Sequence, residues 1–120
     1  DTMKRILLTL AAAMFAAPAF SAGWTVDDLG SMSARSDCMT RAERTMKRYY
    51  QVHGGKENIG RSEWTLGGYN LRGNVVNALI ICPIEAGVVA PFLIVHNSDS
   101  DNDARKIVAD RVKAIWQEQP

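Results

Sequence analysis

The sequence predicts an α+β two-layer sandwich in the order α-β-β-β-α. A three-stranded antiparallel meander carries two helices on one face. Three observations predict it. Two segments of helical apolar period bracket the second half of the chain. Three short β-branched and apolar runs lie between them. The breaks between those runs are short and rich in Gly, Asn and Pro, which favours neighbouring antiparallel strands. At 120 residues, 47% hydrophobic and 22% charged, the composition is that of one ordinary globular domain. It excludes collagen, low-complexity disorder and a long coiled coil.

Residues 1–21 read as a signal peptide, with Asp1-Thr2 ahead of Met3 as a start artefact. Lys4-Arg5 form a basic n-region. The apolar stretch from Ile6 to Ala17 is broken only by Thr9, and Pro18 with Ala19-Phe20-Ser21 closes it. The stretch falls short of the about 20 apolar residues of a bilayer span. Cleavage after Ser21 leaves small residues at −3 and −1. It removes Asp1, Lys4 and Arg5, so the 14 basic and 13 acidic residues both fall to twelve. A neutral chain has no global field that selects nucleic acid or a membrane surface.

Residues 22–35 read as an extended lead-in, pinned by Trp24, Val26 and Leu29. The single α+β domain then runs over 36–120. Ser36-Asp37 offer an N-cap to a helix over 38–53, ended by Gly54-Gly55. Its buried stripe is Cys38, Ala42, Met46, Tyr49 and His53, widened by Met39 and Tyr50. Arg41, Arg44, Lys47 and Arg48 form a basic outer face. Residues 56–63 are a polar connection anchored by Ile59. Strands follow over 64–71, 75–84 and 88–96. Gly67-Gly68 mark a bulge or a close backbone approach in the first strand. Pro91 suits the third to an edge or a bulge. The second helix spans about 101–117, with Ser100 and Asp103 as a capping box. It buries Ala104, Val108, Val112 and Ile115, flanked by Ile107 and Trp116.

Outside the leader, the chain holds only Cys38 and Cys82. An even cysteine count after an export signal predicts a disulfide, here closing a loop of about 45 residues. Against it stand a catalytic thiol, which needs a nearby base, and a zinc site, which needs more ligands. The bridge turns Cys82 toward the first helix. Alternation then turns Val76, Ala78 and Ile80 the same way. Val75, Asn77, Leu79 and Ile81 are left on the other face with Tyr69. That face is either covered by the lead-in or is a contact surface.

Other candidate chemistry is sparse. Asp99, Asp101 and Asp103 have the alternation of a calcium loop, with Asp110 at the twelfth position. Ala104 stands where that loop needs Gly, and helix capping explains the acids equally. His96 beside these acids is the one candidate acid/base group. Tyr49, Tyr50, Trp64 and Tyr69 line a groove or, more simply, the core. The glycines at 67–73 lack the strand-then-helix context of a phosphate loop.

Cys38-Met39-x-x-Ala42-Glu43, Trp64-Thr65-x-x-x-Tyr69, Ala78-Leu79-Ile80-Ile81-Cys82-Pro83 and Ala109-Asp110-Arg111-Val112-Lys113-Ala114-Ile115-Trp116 occur in this order. In these the chain resembles a group of short exported bacterial proteins of uncharacterised function. The resemblance implies a small secreted α+β domain with one disulfide, and carries over no catalytic residue. The expected function is a non-enzymatic periplasmic or secreted binding domain, in the manner of inhibitors and immunity proteins. Its partner would be a protein or envelope component, or a second copy of the chain. No cofactor, no nucleic acid and no membrane span after processing are expected. The competing reading is a small hydrolase or cation-binding module built on His96 and the Asp99–Asp103 loop.

Overall fold

The computed structural model describes residues 22–120, so the expected signal peptide lies outside the described residues. The chain runs β1 (Gly23–Asp28), α1 (Arg35–His53), β2 (Ile59–Arg61), β3 (Thr65–Arg72), β4 (Val76–Ile81), β5 (Ile84–Glu85), β6 (Val88–Val89), β7 (Phe92–Asn97) and α2 (Asn102–Glu118). Five strands form one antiparallel sheet in the order β1-β7-β4-β3-β2. Both helices pack on one face of it. The expected meander is its middle, β7-β4-β3, with β4 central.

The sheet gains a strand at each edge. The lead-in is β1, paired with β7 from Gly23↔Asn97 to Asp28↔Phe92. The polar connection contains β2, in which Ile59 packs against the core. Both were hidden by shortness and by polar residues on half of their positions. Trp24 and Val26 do not pin the lead-in: they are 64% and 63% exposed. Leu29 alone of the three reaches the core.

Pro91 corrects another expectation, because β7 is an interior strand. Pro91 stands one residue before it and splits the expected third strand into β6 and β7. The Leu29 N–H donates to the Pro91 carbonyl at 3.0 Å, but Pro91 has no N–H to return. The Leu29 carbonyl is satisfied instead by the Trp116 indole N–H at 3.1 Å. The sheet thus tolerates the proline because α2 supplies the missing donor.

α1 begins at Arg35, ahead of the expected Ser36-Asp37 cap, with Ala34 at the N-cap and no side-chain cap bond. Asp37 in the first turn complements the helix dipole instead. Gly54 ends it at φ 85°. In α2 the cap is Asp101 rather than Ser100; its Oδ1 accepts from the Asp103 N–H at 3.0 Å.

The core lies between the helices and one sheet face. Cys38, Met39, Ala42, Met46, Tyr49 and Tyr50 of α1, which packs on β3, share one buried cluster with Leu66 and Leu71 of β3 and Val76, Ala78 and Ile80 of β4. Ala104, Val108, Val112, Ile115 and Trp116 of α2 complete it. His53, expected on the buried stripe, is exposed, since it occupies the last helical position before the glycine break. Arg41 is not on a solvated face. It lies over the Trp116 ring at 4.2 Å and donates to the Trp116 carbonyl at 2.7 Å, capping the end of α2.

Cys38 and Cys82 form the disulfide, with Cα atoms 6.1 Å apart. It joins the first turn of α1 to the residue just after the central strand. Cross-linking a loop of this length stabilises by about 4 kcal/mol in the chain-entropy account. Reduction should therefore lower unfolding free energy by about 4 kcal/mol, read as a lower urea midpoint with and without reductant. An unchanged midpoint would contradict it.

The glycine pair is both bulge and close approach. Pairing between β3 and β4 shifts register between Gly68 and Arg72, with Asn70 at φ 56°. A Cβ on Gly68 would stand 2.7 Å from Sδ of the fully buried Met46. A Cβ on Gly67 would meet the outer end of the Tyr69 side chain, its hydroxyl at 2.6 Å and Cζ at 2.9 Å, and Leu79 at 3.1 Å, on the other face. Gly68→Ala should cost about 1–3 kcal/mol by overpacking, and Gly67→Ala distinctly less, because Tyr69 can swing away. Thermal unfolding of the two variants checks the order.

Candidate functional site

The pleat places the site. Buried Val76, Ala78 and Ile80 face the helices, so Asn77, Leu79 and Ile81 face away. Leu93, Val95 and Asn97 of β7 are likewise buried, leaving Phe92, Ile94 and His96 on the outer face. Register aligns these into rows. One runs Trp24, His96, Asn77; the next Val26, Ile94, Leu79, Gly67, Gly60; the third Asp28, Phe92, Ile81, Thr65. No described helix packs on this face. The lead-in does not cover it but widens it in plane, through Trp24 and Val26.

Each part has a local cause. The Tyr69 ring lies over Gly67 and Gly60, where only glycines leave room. Its N–H donates to the Asn58 carbonyl and to the Tyr50 hydroxyl, both at 3.0 Å. The Tyr50 hydroxyl also sits against the Tyr69 carbonyl. Beside Tyr69 is a shallow hollow of about 260 Å³, lined also by Arg61, Ser62, Thr65 and Leu79. It is smaller than the ~300–1,000 Å³ typical of small-molecule pockets. It can take one protruding side chain.

The expected surface residues divide. Tyr69, Leu79 and Ile81 lie together on this face. Asn77 lies there too, but its Oδ1 accepts from the Asn70 N–H at 3.0 Å and holds the bulge. Val75, half-buried just before β4, packs against the core. Sequence reasoning missed Trp24, Val26, Phe92 and Ile94. β7 opens on four consecutive apolar residues, so its outer face is set by the burial pattern and the strand order and not by its sequence.

The other candidates are not assembled into chemistry. His96 stacks on Trp24, ring centroids 4.3 Å apart, with Asn77 as its other cross-strand neighbour. Asp99 Oδ1 accepts from the Asp101 N–H and from the Asn97 side-chain amide at 3.1 Å. Buried Asn97 in turn accepts from Arg105 at 2.9 Å. The acidic loop is thus built around a buried amide and a helix cap. Among the described residues no group of three His, Cys, Asp or Glu could hold a metal ion. Among them, too, no helix is long and apolar enough to cross a membrane. Tyr49 and Tyr50 are core, and the Tyr49 hydroxyl donates to the Leu71 carbonyl at 2.9 Å. Trp64 is half-exposed under the Arg35 guanidinium. Of the basic face, Arg44, Lys47 and Arg48 are solvated, and Glu43 lies 3.9 Å from Lys47 and 3.4 Å from Arg61.

A groove of about 420 Å³ runs between the helix ends, lined by Arg48, Val52, His53, Arg111 and Ile115. His53 stacks on Tyr49 there. Although the residue is largely exposed, desolvation of the ring on its packed side, and next the Arg111 charge, hold its imidazole below the ordinary value. No protein-family model, no curated protein and no solved structure matches the chain.

The sign for His53 is set by that depression. As pH falls, the unfolded chain takes the proton first, near pH 6.5, so stability present at neutral pH is lost on acidification. The His53 ring should titrate below about 6.5 by NMR. His53→Gln should flatten the fall of the urea midpoint between about pH 7.5 and 5. A ring titrating above 6.5 would contradict this.

Proposed function

We propose that the chain is an exported, non-enzymatic binding module whose outer sheet face recognises a protein or envelope component. One observation carries the reading. The face that holds Tyr69, Leu79, Ile81, Phe92 and Ile94 is apolar at its centre, and both helices lie on the opposite side. A solvated sheet face ordinarily alternates to polar residues. An apolar one marks a contact surface. The cross-link fits an oxidising compartment, periplasmic or extracellular. It also keeps the face rigid, which lowers the ordering cost of association.

The test uses the immobilised protein against envelope extract, with bound proteins identified by mass spectrometry. A specific partner should be captured by the wild type and by Arg48→Glu, which alters the helix side. Leu79→Lys should weaken capture at least about tenfold, since burying a leucine side chain is worth about 1.5–3 kcal/mol. Capture indifferent to Leu79→Lys would overturn the proposal.

A further inference from the structure

The two edges of the sheet are unlike. β2 is three residues long and carries Arg61, which suits a guarded edge. β1 is six residues long, GWTVDD, with no Lys and no Pro and with its two charges, Asp27 and Asp28, confined to its C-terminal end. It pairs only with β7 among the described residues.

The direction of its main-chain groups follows from one bond. The Leu29 N–H donates to Pro91, so Leu29 is on the hydrogen-bonded side of the antiparallel alternation with β7. Thr25 and Asp27, two and four residues earlier, share that side. The N–H and C=O of Trp24, Val26 and Asp28 therefore point off the sheet edge. Trp24 and Val26 are also the two most exposed large apolar side chains of the described residues. An open ladder and an exposed apolar pair coincide on one strand.

We propose that this edge pairs with the β1 edge of a second copy of the chain, antiparallel about a two-fold axis at Thr25. In that register Trp24 and Val26 of one copy exchange both main-chain bonds with Val26 and Trp24 of the other. Each outward side chain gains an aromatic–β-branched cross-strand pair, a favoured combination in sheets. On the inner side, Asp27 of one copy stands opposite Gly23 of the other. Arg105 lies over Gly23: a Cβ there would be 2.8 Å from Nη1. The Asp27 carboxylate, held at 3.4 Å by Lys113 of its own copy, then has the Arg105 guanidinium of the other copy on its far side. Shifting the axis to Asp27 would set Val26 against Asp28 and bring together two Asp27 carboxylates, each held by its own Lys113; an axis at Val26 would set Asp28 against Trp24. The Trp24–Val26 pairing selects the Thr25 axis. The result is a continuous sheet that carries both outer faces side by side. This inference does not depend on the proposed partner of that face.

Sedimentation equilibrium from micromolar to millimolar protein tests it. The wild type should double its mass with rising concentration. Val26→Pro removes only an N–H that points off the edge, so β1–β7 pairing survives and the dimer should be lost. Val26→Lys should also abolish it, with circular dichroism unchanged for both. Thr25→Cys, at the axis, should give a cross-linked dimer on oxidation, because opposed residues of a non-hydrogen-bonded pair have Cα atoms about 4.5 Å apart. A monomer throughout would overturn the proposal. So would a dimer that survives Val26→Pro and Val26→Lys, or one lost only with Leu79→Lys, which would be joined through the sheet face.

Discussion

The constraint on which the structure depends is the direction of one side chain. Cys82 must point at Cys38 in the first turn of α1. Alternation along the central strand then sends Val76, Ala78 and Ile80 to the helices and Asn77, Leu79 and Ile81 away from them. Because β4 is the middle strand, its neighbours inherit the same division through their register. The sulfur cross-link and the pleat together decide which half of the sheet is core.

The rest of the molecule arranges itself around that division. On the inner side, polar groups are satisfied by partners from distant elements. Trp116 serves the carbonyl that Pro91 leaves without a donor, and Arg41 closes the end of α2 while lying on Trp116. Arg35 binds the Cys82 carbonyl at 3.2 Å and covers Trp64. These contacts lock α1, α2 and the strand ends to one another. On the outer side, among the described residues, Asn77 holds the bulge by accepting from the Asn70 N–H and Asp28 accepts from the Gly30 N–H. Elsewhere that face offers side chains and few polar anchors, which suits it to a partner more than to a reaction.

The sequence showed much of this and failed in specific places. The disulfide follows from the cysteine count, and the central strand, its inward face and most of both helical stripes from strong periods over many residues, the kind of signal that survives tertiary context. β1 and β2 escaped because a short edge strand with Gly, Thr and Asp on one side has little apolar contrast. Pro91 misled because the rule about proline concerns a missing donor, and Trp116 of α2, 87 residues along the chain from Leu29, replaced it where no local pattern could record it. His53 sat in phase with the buried stripe but at the fraying end, where the sheet no longer backs the helix. The candidate surface was half legible. Tyr69, Leu79 and Ile81 came from the parity of β4 and β3, whereas Phe92, Ile94, Trp24 and Val26 needed the strand order.

The central claim is that no further layer covers the outer face of the sheet, where Tyr69, Leu79, Ile81, Phe92 and Ile94 are half-buried. Hydroxyl-radical labelling of the native protein, read residue by residue by mass spectrometry, tests it most directly. Tyr69, Phe92 and Trp24 should be oxidised readily, while Tyr49 and Trp116 on the helix side stay protected. If Tyr69 and Phe92 were as protected as Tyr49, something would be lying over that face and the account would be wrong.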